Sequence, residues 1–313
     1  MKRSDHFDGQ KFHNLRDVAA RPLSDVPRMM TERGTPWPAQ VPVVPQQPGA
    51  LGDATAVITF IGHATFLIQT QAGNILTDPI YSDVAGPLNL AGPRRSRAPG
   101  VRFEDLPPIS TVLLSHNHYD HCDIQTLRRI RKRFNPLLIT PIGNARMARK
   151  AGIKRVEELD WWETATTAPW PVTLTPAQHF SARTPFDRNR ALWSGFMIQV
   201  NQRKIYFAGD SGYGGFFGEI RHRLGPIDFA MLPIGAYEPR WFMHPIHMNP
   251  AEAVQAHLDL ESPRSVGMHF GTFRMTIEGI DAPLVALDEA RRQQGVSLEQ
   301  FSTLDFGESV RVD

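Results

Sequence analysis

From about residue 55 the chain settles into short apolar runs bounded by turn residues and interleaved with amphipathic segments. ATAVITFIG and TFLIQT read as paired strands, NILTDP as a third, and TVLLS (111–115) as a short buried strand. Residues 123–134 carry apolar positions at helical spacing behind Asp123, a residue suited to cap a helix start, and predict a helix. LLITP then predicts a strand, 143–151 a helix and the region of Val156 a strand. Further strands are expected at 171–175, 192–200 and 203–208, a helix at 215–223 and a strand at 227–232. Asn249-Pro250 opens a helix over 250–260, followed by the strand SVGMH, a helix over 282–294 and a last strand over 307–312. In each half the strands come first and the helices follow. Each half thus reads as one sheet with helices on its outer face. Two such sheets stacked would give an α/β fold in the form of a four-layer αββα sandwich, which the pattern allows without requiring.

Residues 1–50 follow a different rule. Pro22, Pro27, Pro36, Pro38, Pro42, Pro45 and Pro48 are expected to preclude regular helix there and to favour extended chain. The expectation is a Pro-rich N-terminal arm (1–50) ahead of one folded α/β domain (51–313), with Trp37 and residues 41–44 anchoring the arm. The arm would pack on its own domain or on a second subunit, the latter making a homodimer. No low-complexity tract or short-period repeat is present.

Composition narrows the class. Hydrophobic residues make up 41% and charged residues 21% of 313 positions, as in ordinary globular proteins. Lys and Arg number 34 against 32 Asp and Glu, so the basic excess of a duplex-binding protein is missing and no nucleic-acid partner is expected. Of two basic clusters, 94–97 and 128–133, the second lies on a predicted helix. It reads as a solvated face, or else as an attraction for anionic lipid or phosphate. A single cysteine, Cys122, excludes an intramolecular disulfide and fits a reducing compartment. The opening MKRSDHFDGQKFHNL has no signal-peptide core, and no segment approaches the ~20 apolar residues of a membrane span. A cytoplasmic protein is expected, with at most peripheral membrane contact.

The chemistry concentrates in Ser115-His116-Asn117-His118-Tyr119-Asp120-His121, directly after the apolar run 111–115. A strand end feeding a loop lets several side chains turn toward one point. Alternation puts His116 and His118 on one side, within reach of one ion, and leaves Asp120 and His121 facing room for a second. Imidazole and carboxylate suit zinc, iron or manganese. His179 follows strand 171–175, His269 ends SVGMH, and Asp210 ends KIYFAGD. Taken singly, each histidine could be structural and the aspartate a turn former; all four positions, however, are strand ends, which can converge on one edge of a sandwich.

These residues carry a resemblance. The spacing His-x-His-x-Asp-His, with His179, Asp210 and His269, resembles the metallo-β-lactamase superfamily. The blocks GHATFLI, LTDPI, GPRR, SHNHYDH, ELDWWE, TPAQH, FAGDSGY, IGAYEPRWFM and HFGTF resemble the N-acyl-phosphatidylethanolamine-hydrolysing phospholipase D family. The likeness runs from about residue 52 to the C-terminus and extends less fully to DHFDG. It implies the αββα sandwich and a dinuclear zinc centre. His116, His118 and His179 would hold one ion, Asp120, His121 and His269 the other, and Asp210 would bridge them. Cys122 is then an apolar filler, because both shells are complete without it.

The implied reaction is attack by a hydroxide bridging the two ions, oriented by Asp120, on a phosphodiester or carbonyl. His247 would line the substrate side and donate to a phosphate oxygen, whereas His244 is expected to be exposed. Asp78 and His63 would support ligand residues from behind or serve as turn formers. Arg183 would pair with a phosphodiester or form a surface ion pair. Tyr237, Trp241, Phe242 and Met243 would line an acyl groove or pack in the core. The implied substrate is an N-acylated glycerophospholipid, giving an N-acylethanolamine and phosphatidic acid. A lactonase, a small-molecule phosphodiesterase or a non-catalytic metal-binding protein would share the same ligands.

Overall fold

The computed structural model describes residues 4–15 and 21–313. Numbered along the chain, helix α1 (Val26–Thr31) comes first. Then follow β1 (Ala56–Gly62), β2 (Thr65–Thr70), β3 (Gly73–Thr77), β4 (Thr111–Leu113), α2 (Ile124–Phe134), β5 (Leu137–Pro141), α3 (Ala145–Lys150) and β6 (Val156–Leu159). The second half runs β7 (Thr164–Ala165), β8 (Val172–Thr175), β9 (Gly195–Val200), β10 (Arg203–Phe207), α4 (Phe216–Leu224) and β11 (Phe229–Pro233). It continues with α5 (Arg240–Met243), α6 (Pro250–Asp259), β12 (Ser265–Met268), α7 (Ala282–Gln294), β13 (Phe301–Ser302) and β14 (Ser309–Val312).

Two seven-stranded sheets result, in the orders β14-β1-β2-β3-β4-β5-β6 and β13-β12-β11-β10-β9-β8-β7. The halves are not fully separate. β14 leaves the second half and pairs antiparallel with β1, from Ala56↔Val312 to Thr59↔Ser309.

Side-chain alternation assigns the layers. Ile58, Phe60, Phe66 and Ile68 point to a core shared with Phe196, Ile198, Ile205 and Phe207 of the second sheet. Their neighbours Ile61 and Leu67, with Leu76, Val112 and Leu138, pack instead with Leu127 and Ile130 of α2 and Ala148 of α3. Phe217 and Ile220 of α4, Val254 of α6 and Leu287 of α7 close the core on the second sheet's side. The order is helices, sheet, sheet, helices: an αββα sandwich. All seven residues of β1 are buried, as a strand packed on both faces requires.

Local signals explain the helix starts that matter to the site. Asp123 accepts from the Gln125 amide at 3.0 Å and caps α2. Asn249 and Glu252 form a reciprocal capping box at α6, with Pro250 in the first turn. The basic residues Arg131, Lys132 and Arg133 occupy the last turn of α2, where the helix dipole favours cations. Arg129 stacks on Phe103 at 3.8 Å, and Arg133 donates to the Phe103 carbonyl at 2.6 Å.

The arm corrects one expectation. Its prolines do not exclude helix, because Pro27 sits in the first turn of α1, where a missing N–H costs nothing. The arm lies along its own chain: Thr35 N donates to Ile277 O, Trp37 Nε1 to Glu278 O, Val41 N to Ser96 O and Gln46 N to Gly100 O, at 2.7–2.9 Å. Among the described residues, no helix is long and apolar enough to cross a membrane.

Candidate metal centre

β1, β3, β4, β8, β10 and β12 all end at one edge of the sandwich, because β1 runs antiparallel to β2 and β2 to β3, while β3–β4 and β10–β12 are parallel. β8 and β10 share a direction through the antiparallel β9. The loops at this edge carry His63 after β1, Asp78 after β3, His116 to His121 after β4, His179 after β8, Asp210 after β10 and His269 after β12. His247 arrives from the segment before α6. The turns are tight. His63, Asp78 and His269 have φ of 58°, 33° and 62°, conformations non-glycine residues adopt only where surroundings over-determine them. Gly235 lets the loop after β11 approach that edge, since a Cβ there would meet the His269 carbonyl at 2.0 Å.

The side chains meet in two main groups, overlapped by two more, Asp78 with His116 and His121 and Asp210 with His179 and His247. Potential ligand atoms of His116, His118 and His179 lie within 4.8 Å of one another, and so do those of His63, Asp120, His121 and His269. His118 Nδ1 is 2.8 Å from His116 Nε2 and 3.2 Å from His179 Nε2. Asp210 stands between the groups. Its Oδ2 is 3.1 Å from His121 Nε2, 3.2 Å from His269 Nε2, 3.8 Å from His179 Nε2 and 4.0 Å from His116 Nε2. His247 Nε2 is 3.9 Å from the same oxygen.

Outer partners fix the ring protons. Asp78, fully buried, accepts from the Ser115 amide at 2.7 Å, from Ser115 Oγ at 2.5 Å and from His121 Nδ1 at 2.7 Å. Ser115 Oγ, its proton spent on Asp78, accepts from His116 Nδ1 at 2.9 Å. His179 Nδ1 donates to the Ile246 carbonyl at 2.9 Å. Each of these imidazoles therefore keeps its Nε2 lone pair for the centre. His63 Nε2 donates to Asp120 Oδ2 at 2.9 Å. The result is a buried set of imidazole nitrogens and carboxylate oxygens facing one another. His121 Nε2, His269 Nε2 and Asp210 Oδ1 have no hydrogen-bond partner among the described residues.

A buried group left so costs free energy unless positive charge is supplied. Burial pulls His116 and His247 well down, His118 to about 3 and His179 to about 4. At His121 and His269 burial acts in the same sense, but Asp210, Asp120 and, for His121, Asp78 outweigh it. They push His121 well up and His269 up to about 9. Burial opposes the ionisation of Asp120 and Asp210, yet His121 and its neighbours hold both carboxyls well below the usual range. The centre calls for positive charge beside Asp210, and divalent cations with imidazole and carboxylate ligands fit that demand.

The remaining candidates are placed as follows. Arg183 turns inward: its Nη1 donates to the carbonyls of Asn117 and Cys122 at 2.8 Å, and the guanidinium lies 3.9 Å over Tyr119. It thereby braces the loop of His116 to His121. Tyr237, Phe242 and Met243 are buried. Phe242 and Met243 cluster with Ile246, against which Val26, Met29, Phe180 and Trp241 pack. Phe180 carries this apolar cluster to the site, its ring 4.5 Å from His118. Residues 240–243 form the short helix α5. His244 is exposed beside Glu252 at 3.3 Å. Cys122 is buried, and burial raises its thiol to about 12, as an apolar filler requires. A cavity of about 420 Å³ opens beside the loop, with Leu88, Tyr119, Arg128, Lys150 and Arg183 on its walls. Sequence reasoning gave Ser115 and Asn14 no role. Ser115 stands in the histidine motif, where its position after β4 was the available signal; Asn14 carried none.

Comparison with known proteins agrees with this geometry. The family model described as a beta-lactamase superfamily domain matches residues 73–270. An N-acyl-phosphatidylethanolamine-hydrolyzing phospholipase D from Caenorhabditis elegans is 38% identical over 264 residues, covering 80% of this chain and 74% of that protein. A mitochondrial enzyme of the same name from Saccharomyces cerevisiae is 35% identical, covering 70% and 48%. Among solved structures, an isothiocyanate hydrolase from Delia radicum gut bacteria superposes with a TM-score of 0.66 at 21% identity, covering 82% of this chain and 99% of that one. A metallo hydrolase from Ignicoccus hospitalis gives 0.63 at 21% identity, covering 82% and 98%. At that identity these two bear on the fold alone.

Proposed function

Because the chain belongs to the metallo-β-lactamase superfamily, among the relatives of N-acyl-phosphatidylethanolamine-hydrolysing phospholipase D, we propose that it is a dinuclear zinc hydrolase acting on the phosphodiester of N-acylated phospholipids. The observation that carries the reading is the convergence of buried imidazole nitrogens on Asp210 Oδ2, with Asp120 Oδ2 beside two of the same rings, 3.3 Å from both His121 Nε2 and His269 Nε2. His116, His118 and His179 would hold one cation, Asp120, His121 and His269 the other, and Asp210 both. Iron or manganese would accept the same ligands. When bound, the two cations would polarise the phosphoryl oxygens and lower the pKa of a water at the site.

The chain's own groups divide the remaining work. Asp78 and Ser115 keep the protons of His121 and His116 on Nδ1, so that Nε2 stays basic toward the centre. His63 fixes the Asp120 carboxylate in an orientation from which it can align the attacking water. His247, neutral because burial depresses its pKa, donates a ring N–H to a phosphoryl oxygen. As the water oxygen bonds to phosphorus, the phosphorus bond to the N-acylethanolamine oxygen breaks. That oxygen takes up a proton, leaving phosphatidic acid. The apolar cluster of Phe242, Met243 and Ile246, reaching the site through Phe180, supports an acyl-bearing substrate. Arg183 acts on it indirectly, by bracing the ligand loop. A chain with one buried cysteine suits a reducing compartment, and contact with a lipid surface would be peripheral.

Elemental analysis of the purified chain, followed by turnover of an N-acyl-phosphatidylethanolamine, a generic phosphodiester and a lactone, tests the reading. Two ions per chain with lipid turnover is the expected result. Two ions with turnover of the phosphodiester or lactone alone would keep the chemistry and remove the lipid. No bound metal after loading would overturn the reading.

A further inference from the structure

The N-terminal motif Asp5-His6-Phe7-Asp8-Gly9 plays no part in the centre described above, yet its segment is tied to it. Phe12 is buried in a cluster with Trp161, Ala177, Leu192 and Trp193, and its amide donates to the Asn189 carbonyl at 2.8 Å. His6 stacks on Trp161 with ring centroids 4.5 Å apart, Nε2 reaching Asp160 Oδ1 at 2.7 Å and Nδ1 reaching Asp5 Oδ1 at 2.6 Å. Asp8 closes the intervening turn by accepting from the Gln10 and Lys11 amides, each at 2.7 Å. This turn delivers Asn14, whose Oδ1 accepts from the backbone amide of His179 at 3.0 Å and from Trp193 Nε1 at 3.1 Å. His179 is thus held at both ends: its ring by the Ile246 carbonyl and its backbone by a residue 165 positions away.

We propose that residues 4–14 are a strap that positions His179, with Asn14 as the positioning residue for the site of His116, His118 and His179. The inference rests on the reading of that trio as a cation site. A buried amide that loses its only acceptor must shift toward another partner, and the ring attached to it shifts too. Loss of a group that orients a metal-bound histidine typically weakens metal affinity about 10- to 100-fold.

The test uses the full chain with Asn14→Ala, the similarly sized Asn14→Leu as a second variant should the first not fold, and Asn14→Asp, which keeps the acceptor. Two readouts are taken on each: cobalt(II) titration of the metal-free protein followed by visible absorption, and amide hydrogen exchange at His179. Alanine and leucine are expected to lose one cobalt site by about 10- to 100-fold and to lose protection at His179, with aspartate restoring both. Unchanged cobalt affinity in the alanine or leucine variant, or equal losses in all three, overturns the proposal. A wild-type chain that binds no cobalt overturns the cation reading instead; exchange at His179 then still decides whether the strap holds that residue.

Discussion

Asp78→Asn is the sharpest test of how the centre is wired. The carboxylate accepts three hydrogen bonds inside a fully buried site, from Ser115 N on Oδ1 and from Ser115 Oγ and His121 Nδ1 on Oδ2. Asparagine has the same size, but one of its two termini is a donor. Keeping Oδ1 on the Ser115 amide places the NH₂ against Ser115 Oγ and His121 Nδ1. The hydroxyl can rotate to accept. His121 can accept only by moving its proton to Nε2, which masks the lone pair aimed at Asp210. The variant therefore loses a charge-assisted hydrogen bond and the Nε2 lone pair proposed to hold a cation. Loss of such an orienting partner weakens metal binding by about 10- to 100-fold, or about 1.4–2.7 kcal/mol. The loss should fall mainly on the site of Asp120, His121 and His269, and less on that of His116, His118 and His179, where the Ser115 hydroxyl beside His116 is only reoriented. Competition titration of the metal-free protein with a chromophoric chelator, reading the two sites separately, measures it. Asp78→Asn binding both ions as tightly as wild type would refute the tautomer reasoning, as would a loss confined to the other site.

The metal-free chain should be most stable near pH 6–7. His63, His118 and His179 have folded pKa values of about 3, 3 and 4 against 6.5 when unfolded. Their contribution is complete above pH 6.5 and is lost as pH falls toward those values. His269 is raised to about 9, so its contribution is complete below pH 6.5 and lost as pH rises through 9. Urea midpoints across pH measure this; a midpoint rising steadily to pH 10 would contradict it. At His6 burial acts downward, but hydrogen bonds to Asp160 and Asp5 prevail and raise its pKa above 6.5. The strap should accordingly be held most firmly below pH 6.5 and loosen as pH rises through the raised value, seen as faster amide exchange in residues 4–14 after correction for intrinsic rates. Asp210→Asn removes the charge facing both groups, and the metal-loaded variant should lose most of its turnover; full activity would refute a bridging role.

What was legible in the sequence was local. His116, His118, Asp120 and His121 sit within six residues, so one loop announces them. His179, Asp210 and His269 were legible as strand ends, since turns after apolar runs are recognisable without knowing which runs pair. Strands whose apolar residues serve two packing faces, such as β1, were equally plain. Long-range pairings were not legible: nothing local in residues 309–312 says they join β1, or in Asn14 that it meets His179. Pro27 misled because a proline forbids the interior of a helix but not its first turn, and the two contexts look alike in sequence. Arg183 carried no sign that its partners would be main-chain carbonyls of the loop after β4.

The return of β14 to the first sheet bears on how the chain is made. During synthesis β1 to β6 emerge early, with β2 available at once to one side of β1. The other edge of β1, apolar on both faces, waits with unpaired amides and carbonyls until residues 309–312 leave the ribosome. Slow elongation ahead of that segment, or loss of residues 309–312, would expose a sticky strand edge in an otherwise assembled half. Aggregation of nascent chains, rather than loss of catalysis, is the failure to look for there.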